Sequence, residues 1–205
     1  MVYFYAIRFL FVLIMNLIFA THNLHKTAEI REIVKHHFTI LNLKDIGCLD
    51  DIPETADTLP GNALQKAQYV VERYGFNCFA DDTGLEIDAL DGRPGVFSAR
   101  YAGEGCSYQD NVNRALQELE GVTNRKARFI TIIALISEGK QYFFEGKIEG
   151  EITTVPHGEA GFGYDPIFRP DGYDKTFAEM GDQEKNQISH RAIAMNKLLD
   201  FLLRK

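Results

Sequence analysis

"FVLIMNLIFATHNLHK" covers residues 11–26. Its first part is as apolar as a membrane segment and its second is a polar turn. Which part governs decides the fold. Residues 1–20 are apolar apart from Arg8 and Asn16, and one Arg ahead of such a run suits a signal peptide or an anchor. Two features favour a buried strand instead. "MNLIFATHN" reads as a protein start at Met15 followed by a strand over residues 17–20. Cleavage near Ala20 would remove that strand and leave the turn behind it unsupported. The expectation is a soluble chain in which residues 15–205 form a single two-lobed domain, and residues 1–14 are an N-terminal extension of the kind a misassigned start codon produces.

Downstream, Ala28, Ile30, Ile33 and Val34 recur at helical spacing within residues 25–37. "FTILNL" (38–43) reads as a strand. Residues 61–74 form an amphipathic pattern with Ala63, Leu64, Ala67, Val70 and Val71 on one face, ended by Gly75. "NCFA" and "LEIDAL" read as short strands around an acidic turn, "DDTG" (81–84). Ser107 is placed to cap a helix that Gly121 stops. "ARFITIIALI" and "QYFFEGKI" predict a hairpin across "SEGK", and a last helix runs from about 189 to 203. Helices alternating with strands, then a hairpin, predict an α/β fold with a mixed sheet.

Composition narrows the function. Hydrophobic residues make up 45% of the 205, enough for a substantial core. Lys+Arg number 22 against 29 Asp+Glu, a net charge of -7. That balance argues against polymeric nucleic acid, which needs a basic face, and leaves room for a small anion held by a few converging cations. Cys48, Cys78 and Cys106 are odd in number and form no C-x-x-C or zinc pattern. They read as reduced thiols of a cytoplasmic protein.

Four segments carry candidate chemistry. In "ATHNLHK" (20–26) a strand gives way to a helix, so Thr21, Asn23, Lys26 and the helix-start amides suit a phosphate, or simply a capped turn. In "ADDTG" the adjacent Asp81 and Asp82 should point to opposite sides and do different jobs. One can ligate Mg²⁺ or activate water, with Glu54 of "DIPET" as a second carboxylate. The bland alternative is a solvated Asx-turn. "GEAGFGYDPIF" (158–168) offers the rings of Phe162 and Tyr164 to a base and Asp165 as an acceptor. In "GRPGVFSARYAG" (92–103), Arg100 is an anion ligand or a surface ion-pair partner. In "EKNQISHR" (184–191), His190 and Arg191 sit in the first turn of the last helix, where cations oppose the macrodipole. Their placement therefore needs a reason, such as a bound anion or base edge.

Taken in order and spacing, "ATHNLHK", "ADDTGLEIDALDGRPGVFSARYAG", "GFGYDPIF" and "EKNQISHR" make the chain from Met15 onward resemble the inosine triphosphate pyrophosphatase family. The resemblance implies an elongated mixed β-sheet with flanking helices, two lobes around a central substrate cleft, and a homodimer. It implies Mg²⁺-dependent hydrolysis of ITP, dITP and XTP to the monophosphate and pyrophosphate. It puts Thr21, Asn23 and Lys26 on the phosphates and Glu54 and Asp82 on the metal, with Asp82 also the catalytic proton acceptor. Thr83 stands where the family often has Ser. Phe162, Gly163, Tyr164 and Asp165 match its substrate loop, and Lys185, His190 and Arg191 its remaining substrate contacts. Two positions depart from the family pattern. His22 replaces Gly or Asn, and Gly61 replaces a Glu, a loss expected to weaken the helix start or the metal site. The rival expectations are a nucleotide-binding regulatory module without turnover and a membrane-tethered protein anchored by residues 1–14.

Overall fold

The computed structural model describes residues 15–34 and 38–204. The opening segment forms β1 (Met15–Phe19), followed by α1 (Leu24–Val34) and β2 (Phe38–Asn42). The expected helical residues 35–37 and the extension 1–14 lie outside the described residues. α2 (Leu59–Tyr74), β3 (Cys78–Ile87), the two-residue β4 (Pro94–Gly95) and α3 (Tyr108–Glu118) come next. Then follow β5 (Lys126–Ser137), β6 (Lys140–Ile152), β7 (Phe168–Pro170), α4 (Phe177–Ile188) and α5 (His190–Leu203).

The strands form one mixed sheet in the order β2-β1-β3-β5-β6-β7, with β4 attached to β3. β1 is parallel to β2 and β3, whereas β3, β5, β6 and β7 pair antiparallel. The predicted hairpin is the longest pairing, and Ser137 faces Lys140 across a two-residue turn. Glu138 and Gly139 take φ of 53° and 74° there, the left-handed geometry that such hairpins require.

"DDTG" is the main correction. It is the middle of one continuous strand, with Asp81, Asp82, Thr83 and Gly84 opposite Ile133, Ile132, Thr131 and Ile130 of β5. The composition imitates a turn, but pairing along the long hairpin holds the segment extended. Gly84 is needed for another reason: a Cβ there would lie 2.7 Å from the Gly95 carbonyl oxygen of β4.

Three apolar clusters hold the fold. Phe19, Ile30, Phe79, Ile133, Met195 and Leu198 fill the layer under α1 and α5. Ile18, Cys48, Ala67, Val70, Cys78 and Ala80 fill the layer under α2, where burial pushes the Cys78 thiol up to about 12. Leu85, Ile87, Val112, Phe129, Phe168 and Phe177 form the core at the far end of β3 and β5. α5 sits directly on β6, since a Cβ at Gly146 would overlap the His190 carbonyl oxygen and come within 2.5 Å of Ala194 N. That contact fixes the height of the α5 start, which matters below. No helix among the described residues is long and apolar enough to cross a membrane.

Candidate active site

Asp81 and Asp82 do face opposite ways, and each organises a separate group of charges. Asp82 is buried against α2. Its Oδ2 accepts from Asn62 Nδ2 at 3.2 Å, and the Lys66 ammonium lies 3.7 Å from its Oδ1. The same ammonium donates to Glu54 Oε1 at 3.0 Å. Glu54 and Asp82, from a loop and from β3, thus converge on one cation. Burial raises the Asp82 carboxyl above its usual 3.8, and Lys66 and Lys26 offset this only in part. The carboxylate therefore has unspent capacity for a further positive charge. Among the described residues no three His, Cys, Asp or Glu side chains converge on a metal position. Two carboxylates with phosphate oxygens from a substrate are what Mg²⁺ ordinarily accepts, and the donor set fits it.

Asn62 and Lys66 were not among the expected site residues. A signal was present: Lys66 falls four residues after Asn62 and four before Val70, on the buried stripe of α2. A charged residue on an apolar stripe needs a partner there. The helix start is not weakened at Gly61. Thr58 caps it, accepting from Gly61 N at 3.2 Å, and Pro60 lies in its first turn. A Cβ at Gly61 would come within 2.6 Å of Ala56 Cβ and 2.9 Å of Thr58 Oγ1. The tight 56–58 loop is what excludes a larger residue.

Asp81 points into a buried chain of alternating charges. Its two oxygens accept from Lys26 Nζ at 2.9 Å and Arg191 Nε at 3.1 Å. Arg191 continues to Glu29, Glu29 accepts from Lys185 Nζ at 2.7 Å, and Lys185 reaches Asp165 Oδ2 at 2.5 Å. Asp165 Oδ2 finally accepts from Phe162 N at 2.8 Å. Arg191 is 1% exposed and Lys185 2%, so these charges are stable only as a network. Burial alone would raise the Asp81 carboxyl, but Lys26 and Arg191 outweigh it and hold the group well below the carboxylate range. Two protein carboxylates therefore explain the Arg beside a helix N-terminus, and no bound anion is needed. Asp165 likewise accepts from within the protein, from Lys185 and from the Phe162 amide. Glu29, the bridge between α4 and α5, is another residue the sequence reading passed over.

The remaining candidates gather around the same cleft. Thr21 Oγ1 accepts from Asn23 N at 3.1 Å, and Asn23 Oδ1 accepts from Lys26 N at 3.1 Å. Thr21 and Asn23 thus shape the start of α1 and hold Lys26 at the cleft. Thr83 Oγ1 lies 2.7 Å from Thr131 Oγ1 and accepts from Arg191 Nη2 at 3.2 Å. Tyr164 is buried, and its hydroxyl donates to the Ser98 carbonyl at 2.9 Å. Gly163 follows Phe162 with φ of 65°. His190 stacks on Phe129 with centroids 4.6 Å apart. Burial, with Arg191 and Lys185 nearby, drives its pKa well below the usual value, so the imidazole is neutral; Nδ1 has no hydrogen-bond partner among the described residues. His22 is exposed and its Nε2 lies 2.9 Å from the Asp50 carbonyl oxygen. Arg100 pairs with Glu104 at 3.7 Å on the surface. The cleft encloses about 360 Å³ and is lined by every one of the thirteen expected site residues, together with Lys66, Tyr108 and Asn111. That is the size of a small-molecule site.

Lys26, Lys66, Glu54 and Asp82, with the rings of Tyr108, Phe162, Tyr164 and His190, line one cleft, and together they define an α/β protein with a small-molecule site that combines charges and flat faces. The chain belongs to the Ham1 family, whose model matches residues 17–201. A protein of Flavobacterium johnsoniae named dITP/XTP pyrophosphatase is 55% identical over 92% of this chain and 98% of its own length. One of the same name from Porphyromonas gingivalis is 58% identical over 92% and 97%. Among solved structures, a HAM1 protein from Coxiella burnetii superposes with a TM-score of 0.85 at 36% identity, covering 94% of this chain and 100% of that one.

Proposed function

We infer that this protein is a nucleoside triphosphate pyrophosphatase that hydrolyses non-standard purine nucleoside triphosphates, ITP, dITP and XTP, to the monophosphate and pyrophosphate. The observation that carries the reading is the Glu54–Lys66–Asp82 cluster at the floor of the cleft, in a chain more than half identical to proteins named for that activity. Thr21, Asn23 and Lys26 flank the cluster and hold the triphosphate, and Lys66 adds a second ammonium beside it. Asp82 accepts the proton of the attacking water, a task suited to a carboxyl whose pKa burial has raised. Glu54 and Asp82 hold Mg²⁺, which when bound neutralises charge developing on the phosphate oxygens. The purine lies toward Phe162 and His190, with Gly163, Tyr164, Asp165, Thr83, Lys185 and Arg191 shaping that end. A 6-oxo purine is favoured where the site presents donors, since a donor facing the adenine amino group is left unpaired. A homodimer in the cytoplasm remains the expected setting.

The test is kcat/KM for ITP, dITP and XTP against ATP and GTP with Mg²⁺. The reading requires the first three to be preferred. Binding without turnover of any of them would favour the regulatory module instead.

Two further expectations belong here. A chain beginning at Met15 should fold and turn over ITP like the full chain, because the first strand and the family match both start after residue 14. Circular dichroism and initial rates compare them, and loss of either on removing residues 1–14 would make the extension structural. Carboxyl titration carries the second. In the Mg²⁺-free protein the Asp82 carboxyl should titrate above its usual 3.8, because burial outweighs Lys66 and Lys26. Lys66 pulls that carboxyl down, so Lys66→Ala should move its midpoint to higher pH. Carboxyl ¹³C shifts with and without Lys66 read it, and a midpoint at or below 3.8 would contradict the burial argument.

A further inference from the structure

Three rings from three elements meet at the mouth of the cleft. Phe162 belongs to the glycine-rich loop, His25 is the second residue of α1, and Tyr108 is the first residue of α3. The His25 imidazole is stacked on Phe162, centroids 5.1 Å apart and planes 21° from parallel. Tyr108 lies 5.9 Å from Phe162 and 6.4 Å from His25, edge-on to the imidazole. Its hydroxyl accepts from Asn23 Nδ2 at 3.4 Å, so the cluster joins the two sides of the cleft. Lys185 Nζ and Arg191 Cζ lie over the Phe162 ring at 5.0 and 5.7 Å. Both cations are buried and held in the Glu29 network, whereas His25 is exposed.

We propose that His25 is the second wall of the nucleobase site, and that the purine enters between its imidazole and the Phe162 ring with Tyr108 against the base edge. The proposal deepens the nucleotide reading of the cleft and rests on it. Of the groups covering Phe162, the exposed rings of His25 and Tyr108 can give way without breaking a buried ion pair, and of these two the imidazole is the one stacked on the Phe162 face, Tyr108 being tilted to it. Centroids 5.1 Å apart leave no room for a third ring, which needs about 7 Å, two carbon contact distances, so the imidazole swings outward to admit the base. Its backbone does not move with it. Asn23 caps the first turn of α1, and Ser107 and Asp110 form a capping box under Tyr108. The rings are thus mounted on fixed helix starts with rotatable side chains. In the empty protein the imidazole covers Phe162; with nucleotide it covers the base.

The chain contains no tryptophan, so His25→Trp introduces a single reporter at this point. Its emission should be quenched saturably by inosine and by IMP, and be unmoved by inorganic tripolyphosphate. His25→Ala should raise KM for ITP on the order of tenfold, the loss falling on KM rather than kcat, and His25→Trp should restore it. An emission blind to inosine and IMP, or a His25→Ala KM equal to or below that of the unsubstituted protein, would overturn the proposal; a lower KM would mean that the imidazole only shields Phe162. Binding of ITP by the unsubstituted protein separates the two levels. If it is absent, the nucleotide reading itself fails. If it is present and His25→Ala binds ITP as tightly, only the second wall fails.

Discussion

Asp82→Asn should reduce kcat for ITP by about 10²–10⁴-fold, the loss of a positioned general base, and its weakened hold on Mg²⁺ adds to that. The substitution preserves shape. Asn62 Nδ2 can still donate to the side-chain oxygen, as it does to Asp82 Oδ2 at 3.2 Å, and the antiparallel pairing of β3 with β5 is a backbone matter. The fold should therefore survive, with an unchanged denaturation midpoint. What disappears is a negative charge on the cleft side of β3 and an acceptor for the water proton. Rates at saturating Mg²⁺, with circular dichroism on the same sample, decide it. Turnover within a few-fold of normal would take Asp82 out of the mechanism.

Arg191→Ala should act on stability first. The guanidinium bridges Asp81 and Glu29, and both carboxylates are buried. Its removal leaves Glu29 with Lys185 alone and Asp81 with Lys26 alone. Breaking a buried pair in this way costs about 3–5 kcal/mol. In a chain of this size that lowers Tm by roughly 10 °C or more. Urea denaturation measures it. An Arg that reads the base without holding the fold would behave otherwise: the ITP over ATP preference would collapse while the midpoint stayed in place. Arg191→Lys should recover part of the stability, since it keeps the charge but loses the fork that reaches two carboxylates at once.

How much of this was legible in the residues depends on what fixed each one. The opening strand, both flanking helices, the hairpin and the α5 cap follow local rules, and the structure has them. The opposed roles of Asp81 and Asp82 follow from the two-residue strand period. The extended shape of the segment does not follow from its residues: Asp-Asp-Thr-Gly is turn-like locally, and only pairing with β5 makes it a strand. α4 was overlooked because Gly181 breaks its period with φ of 72°. The capping box Thr176–Glu179 was nonetheless written in the sequence. Lys66 and Glu29 were missed for the same reason: each sits on a buried helical stripe, and its partner lies on a segment distant in the chain. Arg191 shows the same limit in another form. A cation at a helix start invites an external anion, and the carboxylates that neutralise it inside the protein come from α1 and β3, distant in the chain.

The central claim is the bond that breaks. ITP incubated with the protein and Mg²⁺, with products separated at early times, measures it directly. The account predicts IMP and pyrophosphate in equal amounts from the first time point. IDP with free phosphate, or successive release of single phosphates, would contradict it.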